Sequence, residues 1–311
     1  MIFAARGLLV SLAFFATLYC PLSALAALAW RGAKRMGGKP ALTSANFLFG
    51  LRIFPFSASA VVTVFFTLPS FWLMERTSPD EDGGTFILAL CSLLILGAGL
   101  FRLMRAHAKT KRALTQWRLE ANRIDGGAAI PTTNASSGAP PLILVGIRRP
   151  RVMVSDLAVA VLSENELQVA VQHELGHMRS WDNLKKVFVS STPFPGMRSL
   201  DSAWREAAEL AADEAAVTNR QEALDLASAL IKLSRFSQLR PEPALTTGLV
   251  SGSSSIGVRV ERLLDWRMAD RRFVRTWLWT LLVVLTMIIG IAGNYGATLV
   301  VTHRLTELLV P

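Results

Sequence analysis

Four apolar blocks, approximately Leu8 to Trp30, Ile53 to Met74, Phe86 to Phe101 and Trp277 to Val301, restrict this chain more than any other feature. A hydrocarbon core about 30 Å thick takes roughly 20 apolar residues of helix, and in it only a helix satisfies every backbone group of a single segment. The third block is the shortest and needs Leu103 and Met104 to reach span length. Pro55 and Pro69 in the second are tolerable near helix ends. Only 18% of the residues are charged, against about a quarter in an ordinary soluble domain, so the chain leans away from water as its solvent.

The charges follow the blocks. Lys and Arg number 33 against 23 Asp and Glu, a net +10 that in a soluble protein would raise nucleic-acid binding. Here the basic residues flank apolar blocks, and no nucleic-acid partner is expected. Residues 31–52 hold Arg31, Lys34, Arg35, Lys39 and Arg52 with no acid, whereas the next loop holds Glu75, Asp80, Glu81 and Asp82 against Arg76. Arg102, Arg105, Lys109, Lys111 and Arg112 follow the third block, and Arg267, Arg271, Arg272 and Arg275 precede the fourth. The positive-inside rule then predicts a multi-pass protein of the cytoplasmic membrane, with the first and third loops cytoplasmic and both termini outside. The rival reading of the first block as a signal peptide, with Ala24-Leu25-Ala26 imitating a cleavage site, would release a strongly basic segment on the outer side. Cys20 and Cys91 both lie inside apolar blocks, so neither a disulfide framework nor a C-x-x-C metal site is predicted.

This plan divides the chain into an N-terminal membrane part (1–104), a cytoplasmic domain (105–276), and a fourth span with a short outer tail (277–311). Residues 102–124 read as a basic helix leaving the membrane, and 125–141 as a Gly/Pro/Ser linker. LILVGI (142–147) and RVMVS (151–155) are short, β-prone and separated by a turn, which predicts paired strands. Helices follow, and 247–257 (TGLVSGSSSIG) reads as a second flexible stretch.

The chemistry is announced by HELGH, residues 173–177. Ser163 and Glu166 upstream form a capping box, and Leu167, Ala170, Val171, Leu175 and Met178 recur at helical spacing, so the motif lies within a helix. Residues four apart lie one turn above each other, which points His173 and His177 at one metal while Glu174 projects beside it. Neutral imidazoles bind Zn²⁺ at about 2.0–2.1 Å and leave room for a third protein ligand and a water. One zinc per chain is expected, with Glu174 as the general base.

The third ligand is sought on a second helix. WREAAELAADEAAV (204–217) is strongly helix-forming and offers Glu206, Glu209, Asp213 and Glu214. Glu209 and Asp213 share a face among alanines small enough for close helix approach. In that arrangement Glu209 ligates zinc and Asp213 hydrogen-bonds a ligand histidine; the alternative is a solvated acidic face. Asp182 either orients a motif residue or caps the next helix. Arg205, Arg259 and Arg262 are all available to stabilise an oxyanion, and the sequence does not choose among them. The strand at 142–147 offers an edge to an extended peptide, or is an ordinary internal strand. His107 and His303 fall at membrane edges, where an interfacial role is favoured over ligation.

Residues 141–217 resemble the BlaR/MecR-type membrane gluzincin peptidases. PLILVGIRRPRVMVS resembles the strands that precede the motif in that family, LSENELQVAVQHELGHMRSWD its H-E-x-x-H helix with trailing Asp182, and ELAADEAAV its E-x-x-x-D helix. The resemblance implies an α+β zincin-like domain inserted among four transmembrane helices, with Glu209 the third ligand and Asp213 its supporting aspartate. Ala212 stands where the family usually has Cys, and STPFPGM (191–197) alone represents its W-F-N-P-type segment. No penicillin-binding domain follows the last span in a chain ending at Pro311, so direct β-lactam sensing is not expected. HtpX-like and CAAX-processing peptidases are more distant relatives, and their bacterial members tend to place spans between the two motifs.

The resemblance implies an endopeptidase acting on a cytoplasmic regulatory protein in a signalling response, with a separate sensor or regulatory membrane partner. The alternatives are HtpX-like quality control on membrane-protein segments, and a metal-stabilised scaffold without catalysis. An intact Glu174 argues against the scaffold, which needs ligands but no base.

Overall fold

A computed structural model describes residues 2–35, 45–74, 83–116, 132–135, 140–147, 150–237, 247–248, 256–266 and 293–310. Among them three helices are long and apolar enough to cross a membrane, Phe3–Arg35, Ala45–Met74 and Gly84–Arg112. The first lies in α1 (Ile2–Arg35) and the third in α4 (Gly83–Gln116). α4 bears out the expected third span and the basic helix after it: Phe86–Phe101 lies in the first part of a 34-residue helix that runs unbroken through Leu103, Met104 and the basic residues that follow. Lys, Arg, Leu and Ala there are good helix formers, and no proline interrupts them.

The second apolar helix is built of α2 (Ala45–Val62), a π turn (Thr63–Thr67) and α3 (Leu68–Met74). Pro69 explains the join. It has no N–H for the carbonyl four residues back, and its ring crowds that carbonyl, which a π turn relieves. The carbonyl is that of Phe65, and it accepts a hydrogen bond from the Tyr295 hydroxyl at 2.8 Å. Tyr295 opens α11 (Tyr295–Leu309), which packs on α3 and the π turn and buries Leu299, Thr302 and Thr306. Of the predicted fourth span, residues 277–292 lie outside the described residues. The described end of that block belongs to α11, which continues past Val301 where an outer tail was expected.

Four short strands make one sheet in the order β1-β3-β2-β4: β1 (Thr132–Ala135), β2 (Leu142–Val145), β3 (Arg151–Ser155) and β4 (Thr247–Gly248). β2 and β3 pair antiparallel as the sequence predicts, with Ile143 opposite Met153. β1, parallel to β3, and β4, antiparallel to β2, fall in stretches read as linker and flexible. Neither has apolar alternation; both are edge strands held by backbone pairing, to which a composition-based reading is blind.

Around the sheet lie α5 (Asp156–Val161), α6 (Glu164–Arg179), α7 (Asp182–Ser191), α8 (Arg198–Ala216), α9 (Arg220–Ser237) and α10 (Ile256–Leu264). Leu142 and Leu144 of β2 and Val152 and Val154 of β3 pack with Val169 and Ala170 of α6 and Leu226, Leu230 and Leu233 of α9. The predicted capping box starts α6: Ser163 N donates to Glu166 Oε2 at 2.7 Å, and Glu166 N to Ser163 Oγ at 3.3 Å. Glu166 also accepts from Ser228 and from Lys232 of α9 at 2.5 and 2.7 Å, fixing the start of the motif helix against the core.

Candidate metal centre

α6 presents His173 and His177 one turn apart on its buried face, and α8 brings Glu209 opposite them. The close approach depends on Gly176. A Cβ there would lie 3.2 Å from Ala212 Cα and 3.3 Å from its carbonyl oxygen, so the glycine of HELGH is where α8 presses on α6. His173 and His177 approach through their Nε2 atoms at 3.2 Å, and Glu209 sets Oε2 3.6 Å from His173 Nε2 and Oε1 3.6 Å from His177 Nε2. Atoms bound to one tetrahedral zinc at about 2.0–2.1 Å lie about 3.4 Å apart, so the three groups are spaced as such a site requires. Their ligand atoms all fall within 4.8 Å of one another.

Both imidazoles rest on carboxylates through the far nitrogen. His173 Nδ1 lies 2.9 Å from Asp213 Oδ1, and His177 Nδ1 lies 2.7 Å from Asp182 Oδ2. The hydrogen bond of His177 Nδ1 to Asp182 leaves its Nε2 lone pair free for a metal, and Asp213 sets a carboxylate beside His173 Nδ1. Asp213 follows Glu209 by one turn of α8. Asp182 reaches His177 by another route: α6 ends and Trp181 adopts a left-handed φ of 57°, so the chain reverses and α7 begins at Asp182. Trp181, not Asp182, occupies the N-cap position, and its side chain makes no capping bond. Asn183 follows and donates to the carbonyls of Leu144 and Gly146 at 3.2 and 3.1 Å, which ties this turn to β2.

Arg259 of α10 completes the cluster. Only 1% exposed, it donates from Nε and Nη2 to the two oxygens of Asp213, both at 2.7 Å, and sets Nη1 3.0 Å from Glu209 Oε2. Of the three arginines weighed as oxyanion donors it is the buried one; Arg205 is exposed and bonds its own helix, and Arg262 is exposed and pairs with Glu214. The signal for Arg259 was present in IGVRVERLL: it occupies the apolar stripe that also carries Ile256, Val260 and Leu263, where an arginine marks a buried ion pair. Glu206 and Glu214 point to solvent, and His107 is exposed far from the motif in sequence.

The electrostatics favour an added cation. Glu174, Asp182, Glu209 and Asp213 are all buried in one cluster, with Arg259 against Glu209 and Asp213 and Lys185 Nζ 3.4 Å from Asp182, and such a gathering of carboxylates favours a divalent ion. The titrations agree. Burial alone would drive His177 toward neutrality, but Glu209 and Asp182 push it up to about 10, and Asp213 and Glu209 likewise raise His173 against burial. Burial would raise the Glu209 carboxyl, yet His177, Arg259 and His173 hold it well below the usual range. Asp213 is lowered against burial by Arg259 and then His173.

A buried His-His-Glu group on two packed helices, in a chain with three span-length helices, defines a candidate membrane metallopeptidase. The family model described as BlaR1 peptidase M56 matches residues 86–263, which include most of α4, all four strands and every side chain of the cluster. The chain belongs to that family of metal-dependent, membrane-associated peptidases. A search of the curated proteins returned no match.

Proposed function

We propose that this chain is a zinc endopeptidase of the cytoplasmic membrane that cleaves a cytoplasmic regulatory protein in signal-dependent proteolysis. The observation that carries the reading is the placement of Glu174 in a buried cluster where His173, His177 and Glu209 converge, each histidine backed by its own carboxylate. His173, His177 and Glu209 would hold a zinc ion, which would supply Lewis acidity toward a water and a peptide carbonyl. Glu174 takes a proton from the attacking water and passes it to the departing amine. Asp213 and Asp182 keep the histidine Nε2 atoms turned inward. Arg259 keeps Glu209 and Asp213 ionised and oriented, and is thereby removed from the choice of oxyanion donor.

The proposed topology has four spans, the fourth at 277–301, with the metal centre in a cytoplasmic domain of residues 105–276 and both termini outside. The basic clusters at 31–52, 102–112 and 267–275 support it, because all fall on one side of that alternation. Quality control of membrane-protein segments is the second reading, favoured by one observation: the α7–α8 connection sits against α1 and α2, where Tyr19 donates to Pro193 O at 3.1 Å. A proteome comparison between cells with the wild type and with Glu174→Gln tests both. Loss of cleavage of one or a few regulators supports signalling, and accumulation of many membrane-protein fragments supports quality control. Identical proteomes would contradict proteolysis.

A further inference from the structure

The helix that carries Glu209 and Asp213 has two packed faces. α8 turns those residues toward α6 and α10, and buries Leu200, Ala203, Trp204 and Ala207 against Ala26, Ala27 and Trp30 of α1 and Leu48 of α2. The carboxylates of the metal centre therefore ride on a helix seated on membrane helices. α7 has a similar position: it begins at Asp182, the partner of His177, and its last turn reaches α4 at Gly99, where a side chain would strike the Ser191 carbonyl.

Arg52 of α2 joins the end of one helix to the start of the other. It is 3% exposed, and its guanidinium is directed into the α7–α8 connection. Nη2 donates to Thr192 O at 2.7 Å and to Val189 O at 3.4 Å, and Nη1 to Thr192 Oγ1 at 3.2 Å. Nε donates to Asp201 Oδ1 at 2.6 Å. The carbonyls end α7, where a helix dipole favours a cation, and Asp201 lies in the first turn of α8, where it favours an anion. A single side chain thus bridges the carbonyl end of α7 and a carboxylate in the first turn of α8. Burying a guanidinium is costly unless it is paired, and here Nε, Nη1 and Nη2 are each hydrogen-bonded.

We propose that Arg52, with Asp201, is a positioning residue of the metal centre: a membrane-helix side chain that sets the angle between α7 and α8, and so the placement of Asp182 and Glu209 about the histidines. Asp201 precedes Glu209 by about 12 Å of rigid helix, so a tilt at one is delivered to the other. The inference rests on the metal-centre reading above and extends it from the cluster to the membrane helix that holds it.

The test uses the full chain in detergent, stripped of metal and titrated with Co²⁺, whose visible d–d bands report ligand geometry. R52Q and D201A are predicted to keep wild-type helical circular dichroism, bind Co²⁺ about tenfold more weakly and shift the d–d bands. The double variant should bind no more weakly than R52Q alone, because the contact that D201A removes is already lost in R52Q. Ser57→Ala, exposed on the same helix and bonded only to its own turn, should match the wild type. If R52Q fails to fold, D201A carries the test alone, since it leaves the Arg52 contacts to the carbonyls in place. Folded variants with wild-type Co²⁺ affinity and spectra overturn the inference while leaving the metal centre standing. A wild-type chain that takes up no Co²⁺ overturns the metal-centre reading, and the inference with it.

Discussion

His173 and His177 each meet a carboxylate through Nδ1, yet the two pairs were unequally legible in the sequence. Asp213 could be placed because it is one helical turn from Glu209, and helical register is fixed by the backbone. Asp182 could not be distinguished from a capping residue, because its placement depends on a left-handed backbone at Trp181, which an aromatic side chain does not announce. Under the proposed roles, Glu209→Ala removes a ligand and should cost far more zinc affinity than Asp213→Ala, for which about 10–100-fold is expected by competition with a chelator. Arg259→Leu leaves two buried carboxylates uncompensated and should lower stability by about 3–5 kcal/mol in thermal unfolding. Glu166 gives a pH-dependent expectation outside the cluster. Burial opposes its ionisation, but Lys232, Ser228 and the Ser163 amide bring its carboxyl down to about 2. A carboxyl lowered on folding contributes stability that is present above its ordinary value near 4.5 and lost as pH falls toward 2. Glu166→Gln should thus destabilise by roughly 1–2 kcal/mol at pH 7, discounted for the exposed Lys232, and the difference from wild type should shrink in melts at pH 3. A gap that stays constant with pH would contradict the assignment.

At the scale of elements, whatever rested on periodicity was readable: α6 with its capping box, α8, and the β2–β3 pair. What rested on long-range pairing was not. β1 and β4 are strands because β3 and β2 offer them edges, and the π turn before Pro69 is stabilised by a tyrosine from the far end of the chain. The α6–α8 contact itself supplies a prediction. Gly176→Ala places a methyl 3.2 Å from Ala212 Cα, a backbone atom that cannot turn aside. Overpacking of this kind costs about 1–3 kcal/mol, and here it also separates Glu209 from the histidines. Gly176→Ala should therefore lose zinc affinity as well as thermal stability, whereas a melt lowered with zinc affinity intact would show that the two helices relax independently of the ligands.

For the whole molecule, the charge pattern underlies the proposed topology, but it carries no sign of how the helices around the sheet meet the apolar ones. Arg52 counted in the sequence only as one more basic residue beside a span; in the fold it is buried and bonded to two helix ends. The proposed topology is checked by cysteine labelling with an impermeant reagent in a background lacking Cys20 and Cys91. Glu307→Cys, exposed near the end of α11, should label in intact cells, and Asp225→Cys, partly exposed on α9, only after permeabilisation. Labelling of Asp225→Cys in intact cells would move the metal centre and its substrate to the other side.

The central claim, that this cluster is a catalytic zinc centre, is tested most directly by metal analysis of three purified full-length proteins assayed in parallel for proteolysis. The wild type and Glu174→Gln should each hold about one zinc per chain, with only the wild type active, and His177→Ala should hold almost none. Stoichiometric zinc in His177→Ala, or unimpaired proteolysis by Glu174→Gln, would contradict it.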